Sequence, residues 1–258
     1  MPESKTTLNN LEINYKVAGQ GEPILILHGW GVGSDSWIKV QEFLASKGYK
    51  VVVPDLPGFG RSHNPLKSWT VDNYVDWVDD FMDSRDLNSI FLIGHSFGGR
   101  IGIKFAVRHP EKVKKLILCA AAGITPRPKI KIGVFAFLSK MGNLIFSLPG
   151  LKSLKDFARR IIYFLNQTPD YYFIKNETMK ETFQKTIEEN LIPFLAKIKT
   201  PTLIVWGDQD MVVPVFDAYV MHKEIPDSTL KIIKGGRHGL SLQFPEQLSE
   251  IIVQFIRY

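Results

Sequence analysis

Seven short apolar runs, LEINYKV, PILILHG, KVVVPD, SIFLIG, VKKLILCAA, PTLIVWG and TLKII, recur along the chain with helix-like stretches such as SDSWIKVQEFLASKGY and TVDNYVDWVDDFMDSRDL between them. No other feature restricts the fold as much. Continuous apolar runs suit strands buried on both faces, and interleaved helices supply the cover. The pattern predicts an α/β fold whose mainly parallel sheet has roughly eight strands with helices on both faces. A chain of 258 residues is long enough for one such domain with an insertion, or for two small domains. In open α/β sheets the working residues gather at the carboxyl ends of the strands.

One strand-to-helix junction carries chemistry. The run SIFLI, residues 89–93, leads into GHSFGG and then into a helical stretch halted at Pro110. A serine among glycines commonly marks nothing more than a turn. Flanked by a strand and a helix, G-x-S-x-G instead describes a nucleophile elbow. Ser96 then sits at the apex in a strained conformation, while Gly94 and Gly98 keep side chains out of the space where strand and helix close together. The helix N-terminus behind the serine favours developing negative charge.

A serine hydroxyl is a weak nucleophile near neutral pH and needs a base, an orienting acid and oxyanion donors. In the elbow architecture the chain order is serine, acid, histidine, which leaves two of the six histidines as bases. His222 lies in the helical stretch VFDAYVMHKEI. His238 lies in GGRHG just beyond the run TLKII, where glycines let a loop carry the ring over the sheet edge, and it is the expected base. For the acid, WGDQD offers Asp208, placed to cap the turn, and Asp210, two residues later, where the loop can curl toward the histidine; Asp210 is the expected acid. One oxyanion donor is expected from the backbone N–H of Phe97 and the other from that of Trp30 in LHGWG. His28, in the same turn, is read as holding that loop by side-chain hydrogen bonds.

Between residues 125 and 198 the alternation stops, and the sequence turns helical, aromatic and basic. This stretch holds twelve Lys and Arg against six Asp and Glu, so it carries the chain's whole net charge of +6. Residues 125–160 alone hold eight basic residues opposed only by Asp156. The segment IKIGVFAFLSKMGNLIFSLPGL has an apolar face suited to lining an acyl pocket. The basic face suits an anionic substrate, and weak contact with a membrane surface or an acidic partner is the other reading. A recognisable nucleic-acid-binding module is lacking, so no nucleic acid is expected as a partner.

Other classes are excluded on composition. The N-terminal stretch MPESKTTLNN lacks the apolar core of a secretory signal, and no eighteen apolar residues run uninterrupted, so a cytoplasmic protein without a transmembrane segment is expected. The lone Cys119 cannot form an internal disulfide and reads as a buried, inert thiol. With neither C-x-x-C nor H-E-x-x-H, no metal is expected.

Taken together and in order, HGWG, DLPGFGRS, GHSFGG, WGDQD and GGRHG resemble the α/β-hydrolase family, in its serine-nucleophile, carboxylesterase-like branch with a helical cap after the sixth strand. The resemblance covers nearly all of the chain outside the insert. It implies a hydrolase core of residues 1–124 and 199–258 and a cap of residues 125–198. It also implies that Ser96, Asp210 and His238 form a triad, that Trp30 and Phe97 give the oxyanion amides, and that no cofactor is used. Relatives with aspartate at the elbow are dehalogenases and epoxide hydrolases, activities that Ser96 makes unlike this chain's. The implied reaction is hydrolysis of small or medium carboxylic esters through an acyl-enzyme. A carbon–carbon bond hydrolase of meta-cleavage type and a ligand-sensing protein with residual turnover are the alternatives, because fold alone does not fix substrate.

Overall fold

The computed structural model describes residues 3–124 and 174–257. Among them, eight strands form one sheet: β1 (Glu3–Leu8), β2 (Leu11–Ala18), β3 (Glu22–Leu27), β4 (Tyr49–Pro54), β5 (Ile90–His95), β6 (Val113–Cys119), β7 (Thr202–Gly207) and β8 (Ser228–Ile233). Their order is β1-β2-β4-β3-β5-β6-β7-β8. From β4 to β8 every neighbouring pair is parallel, while β2 is antiparallel to both β1 and β4. This is the mainly parallel α/β architecture that the alternation demanded.

Period-two side-chain alternation divides the core into two layers. In β3, Leu25 and Leu27 join one apolar cluster and Ile24 and Ile26 the other. The first cluster takes in Trp77 and Phe81 of α2 (Val71–Ser84) and Ile101 and Phe105 of α3 (Phe97–Arg108). The second takes in Leu44 of α1 (Ile38–Ser46) and, from the C-terminal helix, Leu248 and Ile252. Each such side chain, fully buried, contributes about 1.5–3 kcal/mol. Helix α2 starts where a capping box allows it: Asn73 N–H donates to the Thr70 hydroxyl, and Thr70 N–H donates to the Asn73 side chain.

The eighth strand, β1, is absent from the seven apolar runs because its sequence, ESKTTL, has no buried face. It is nevertheless signalled. Asn9 and Asn10, with φ of 52° and 62°, form the turn to β2, and paired asparagines favour the left-handed turns that match strand twist.

After β7 come α6 (Val215–Glu224), β8, the short α7 (Leu240–Gln243) and α8 (Pro245–Arg257). Of the stretch 125–198, the described part holds α4 (Glu177–Glu188) and α5 (Ile192–Leu195). Its return to the core is fixed by Leu191 N–H donating to the Gly123 carbonyl at 2.9 Å. Two cations of α3 hold it as well. Arg100 donates to the Glu189 carbonyl at 2.9 Å, and the buried Lys104 ammonium lies 2.5 Å from the Glu189 carboxylate and 2.7 Å from Asp72 of α2. The basic residues of 125–160 lie outside the described residues. Among those described, no helix is long and apolar enough to cross a membrane.

Candidate active site

Ser96 stands between β5 and α3 with φ 51° and ψ −109°, a conformation that costs a non-glycine residue about 1–3 kcal/mol. Neighbouring strand ends hold it there. Ser96 N–H donates to the Cys119 carbonyl at 3.1 Å, and the Ser96 carbonyl receives Ala122 N–H and Gly99 N–H, each at 3.0 Å. On the other side Gly98 N–H donates to the His28 carbonyl at 3.1 Å. The two glycines flanking the serine are demanded by close approach. A Cβ on Gly98 would stand 2.1 Å from the Leu27 carbonyl oxygen, and one on Gly94 would stand 2.5 Å from that of Gly98.

Asp210 and His238 meet across 28 residues of sequence. The imidazole Nδ1 lies 2.8 Å from Oδ2 of Asp210, whose side chain is fully buried, while the His238 side chain is 20% exposed. Oδ1 of the same carboxylate receives Val212 N–H and Val213 N–H at 2.8 and 2.9 Å. A carboxylate so engaged fixes the ring's orientation and its Nδ1–H tautomer. The loops bearing the two residues are joined at their roots, where Gln209 N–H donates to the Gly236 carbonyl at 2.9 Å.

The alternatives weighed in the sequence lie elsewhere. Asp208 accepts Gly235 N–H at 2.7 Å and so holds the turn leading to His238. His222 is exposed on α6, its Nδ1 2.9 Å from the Ser228 hydroxyl. His28 is wholly buried: Leu56 N–H donates to its Nε2 at 2.9 Å, so Nδ1 carries the hydrogen and donates to the Gly29 carbonyl at 2.7 Å. Burial pushes its pKa below the ordinary histidine value, consistent with a neutral ring that serves as a brace. Cys119 is buried too, and burial pushes its thiol up to about 12.

The loop carrying Trp30 passes directly beside the elbow, since a Cβ built on Gly29 would lie 3.4 Å from that of Ser96. Phe97, as the first residue of α3, has an N–H without an intrahelical acceptor. The Trp30 ring meets Phe97, Phe59 and Phe183 edge-on at centroid distances of 5.1, 4.7 and 4.9 Å. Phe183 comes from α4, which brings the end of the 125–198 stretch against this aromatic wall.

Two residues of the surroundings were not singled out in the sequence. Asp55, within DLPGFGRS, accepts Ser34 N–H at 2.5 Å and, on its other oxygen, Arg61 N–H and the Asn14 amide at 2.9 Å. Burial alone would raise its pKa, but the hydrogen bonds from Ser34, Arg61 and Asn14 together outweigh burial and hold the carboxyl below its usual range. His95, immediately before the serine, is the second. Its place inside the elbow motif was the signal that could have found it.

The chain is similar to several known proteins. The 2-hydroxy-6-oxo-6-(2'-aminophenyl)hexa-2,4-dienoic acid hydrolase of Metapseudomonas resinovorans is 29% identical, over 95% of this chain and 88% of its own. The 2-hydroxy-6-oxononadienedioate/2-hydroxy-6-oxononatrienedioate hydrolase of Escherichia coli is 28% identical, over 95% and 91%. Among solved structures, a membrane phospholipase A described as a novel bacterial virulence factor superposes with a TM-score of 0.77 at 26% identity, over 99% of this chain and 86% of that one. The sequence profile of the alpha/beta hydrolase fold matches residues 22–245, and with the sheet order and strand-end loops described above, the chain belongs to that family.

Proposed function

We propose that the protein is a serine hydrolase that cleaves carboxylic esters of small or medium acyl chains through a covalent acyl-enzyme. One observation carries the reading: a serine held at φ 51° beside a strand-end loop whose histidine is locked to a buried carboxylate at 2.8 Å. In this reading His238 takes the proton from the Ser96 hydroxyl as its oxygen attacks the ester carbonyl. Backbone N–H groups of Trp30 and Phe97 receive the oxyanion, and Asp210 stabilises the imidazolium. Collapse of the tetrahedral intermediate expels the alcohol, which leaves with that proton. Water then attacks the acyl-enzyme, gives a proton to His238, and Ser96 recovers it as the carboxylic acid departs. Residues 125–198 are the cap, with the Phe183 end closing one wall of the acyl site. No metal or cofactor takes part in these steps.

The phospholipase A among the similar structures lends support to an ester substrate. A second reading is favoured by the two relatives named as dienoate hydrolases, each spanning 95% of this chain. In it the same serine attacks a ketone carbonyl, the carbon–carbon bond breaks, and the carbon leaving group takes the proton. Purified protein assayed on p-nitrophenyl esters of increasing chain length and on a 2-hydroxy-6-oxo-dienoate separates the two. Ester turnover exceeding dienoate turnover in kcat/KM is the expected result, and turnover confined to the dienoate would replace the first reading by the second.

A further inference from the structure

We propose that His95 is a positioning residue: its buried imidazole is the spacer that sets the main chain of His238 at a fixed distance from Ser96 and from the oxyanion loop. The proposal rests on the Ser96–His238–Asp210 reading. His95 ends β5 and is covalently joined to Ser96, so its ring starts from the nucleophile itself. The ring Nε2 lies 2.9 Å from the His238 carbonyl oxygen, 143 residues away in sequence. A carbonyl only accepts, so Nε2 carries the hydrogen and donates. The adjoining Nδ1–Cε1 edge of the ring faces the oxyanion loop at Gly29. A Cβ on Gly29 would lie 2.8 Å from Nδ1 and 3.1 Å from Cε1 of His95, so a side chain at this position next to Trp30 would force the ring or the loop to shift. Trp37 meets the ring from a third side, with centroids 6.1 Å apart.

The need for this spacer follows from the sequence around the base. GGRHG gives the loop glycines at 235, 236 and 239, and glycine loses more backbone freedom on ordering than any other residue. Asp210 fixes the His238 side chain through Nδ1, and Gly235 N–H to Asp208, Gln209 N–H to the Gly236 carbonyl and Arg237 N–H to the Gln243 side chain tie the loop before it, but none of these bonds reaches the main chain of His238 itself. The bond from His95 fixes the carbonyl of the same residue, and two anchors on one residue define where the free Nε2 points. Burial, and then the nearby charge of protonated His238, push the His95 pKa down to about 3, so the donor keeps one protonation state while the base cycles. The ring centroids of the two histidines are 4.8 Å apart.

Three variants of the full-length chain test the idea. His95→Phe keeps an aromatic ring and loses the donor, His95→Gln carries an amide N–H to about where Nε2 stood, and His95→Asn is too short to reach the carbonyl. Each is assayed on p-nitrophenyl butyrate beside Ser96→Ala, with thermal unfolding to establish folding. The low-field proton resonance of His238 Nδ1–H is read by NMR as a signature independent of turnover. Since misplacing a catalytic group by about 1 Å can cost about 100-fold, His95→Phe and His95→Asn are expected to lose about 10- to 100-fold in kcat with KM little changed, and to broaden that resonance. His95→Gln is expected to recover most of both. If His95→Phe fails to fold, His95→Asn against His95→Gln carries the same comparison. Near-parental kcat with an intact resonance in either donor-less variant overturns the spacer while leaving the triad standing, provided Ser96→Ala is inactive. No recovery in a folded His95→Gln also overturns it, since ring volume alone would then account for the losses. Full turnover by Ser96→Ala overturns the triad reading, and the spacer with it.

Discussion

The Nδ1 atom of His238 lies 2.8 Å from Oδ2 of Asp210, and the other oxygen of that carboxylate is held by two backbone N–H groups of the following loop. Asp208, two residues earlier, is engaged differently, receiving Gly235 N–H. An asparagine at 208 still presents a carbonyl oxygen to Gly235, whereas one at 210 brings an amide that stabilises the wrong imidazole tautomer. Asp210→Asn is therefore expected to lower kcat by about 10³-fold or more, and Asp208→Asn by less than about tenfold. Steady-state kinetics of the two variants decide it; equal losses would show that the acid has been assigned to the wrong residue.

Ser96 and His238 act as a unit in the proposed mechanism. Ser96→Ala and His238→Ala should each lose about 10⁴-fold or more in turnover, and the double variant should be scarcely worse than either. Losses that multiply instead would mean that the two side chains work independently.

Gly98 and Gly102 stand one turn apart in α3 and face opposite circumstances. A Cβ on Gly98 would lie 2.1 Å from a backbone oxygen of β3, which cannot yield without moving the strand. On Gly102 the nearest atom is 3.5 Å away, on the Leu116 side chain. Gly98→Ala should destabilise the fold by about 1–3 kcal/mol or more and abolish turnover. Gly102→Ala should stabilise it by up to about 1 kcal/mol. Urea unfolding of both variants provides the measurement, and a stable, active Gly98→Ala would refute the close-packed elbow.

Burial keeps His28 and His95 neutral in the native state, their pKa values displaced below the ordinary histidine value, His95 to about 3. The unfolded chain protonates them near about 6.5. Below that pH the unfolded state binds more protons, so stability rises with pH through this window. Their contribution is complete above about pH 6.5 and is lost as pH falls toward the folded value. Unfolding free energies between pH 4 and pH 7.5 should fall less steeply on acidification in His95→Gln than in the parent. Parallel curves would mean that His95 titrates alike in both states.

Much of this was written in the chain as local pattern. Buried parallel strands must be apolar throughout, which is why β3 to β7 stand out as runs. The elbow needs glycine where backbones touch, so Gly94 and Gly98 mark Ser96 in one dimension. His238 stands out as the expected base because glycines flank it at a strand end, and Asp210 as the expected acid because its loop follows another. The strand β1 escaped because period and hydrophobicity are the only long-range signals a strand carries, and a solvated edge strand has neither; only the Asn9–Asn10 turn betrayed it.

By itself, then, the sequence determined the layered α/β fold and the location of the charge excess, and it supplied the proposed order of nucleophile, acid and base, all of which depend on residue type and spacing along the chain. Tertiary structure alone gave the partners of the two aspartates: the sequence favoured Asp210 over Asp208, but only the fold brings the Asp210 carboxylate 2.8 Å from His238 and sets Asp208 against Gly235 N–H. It also decided that the carbonyl of His238 meets the ring of His95, and that Phe183 of α4 closes on Trp30. Such contacts join residues far apart in the chain, and nothing in either residue's own neighbourhood encodes the partner it will meet once the sheet has brought the strand ends together.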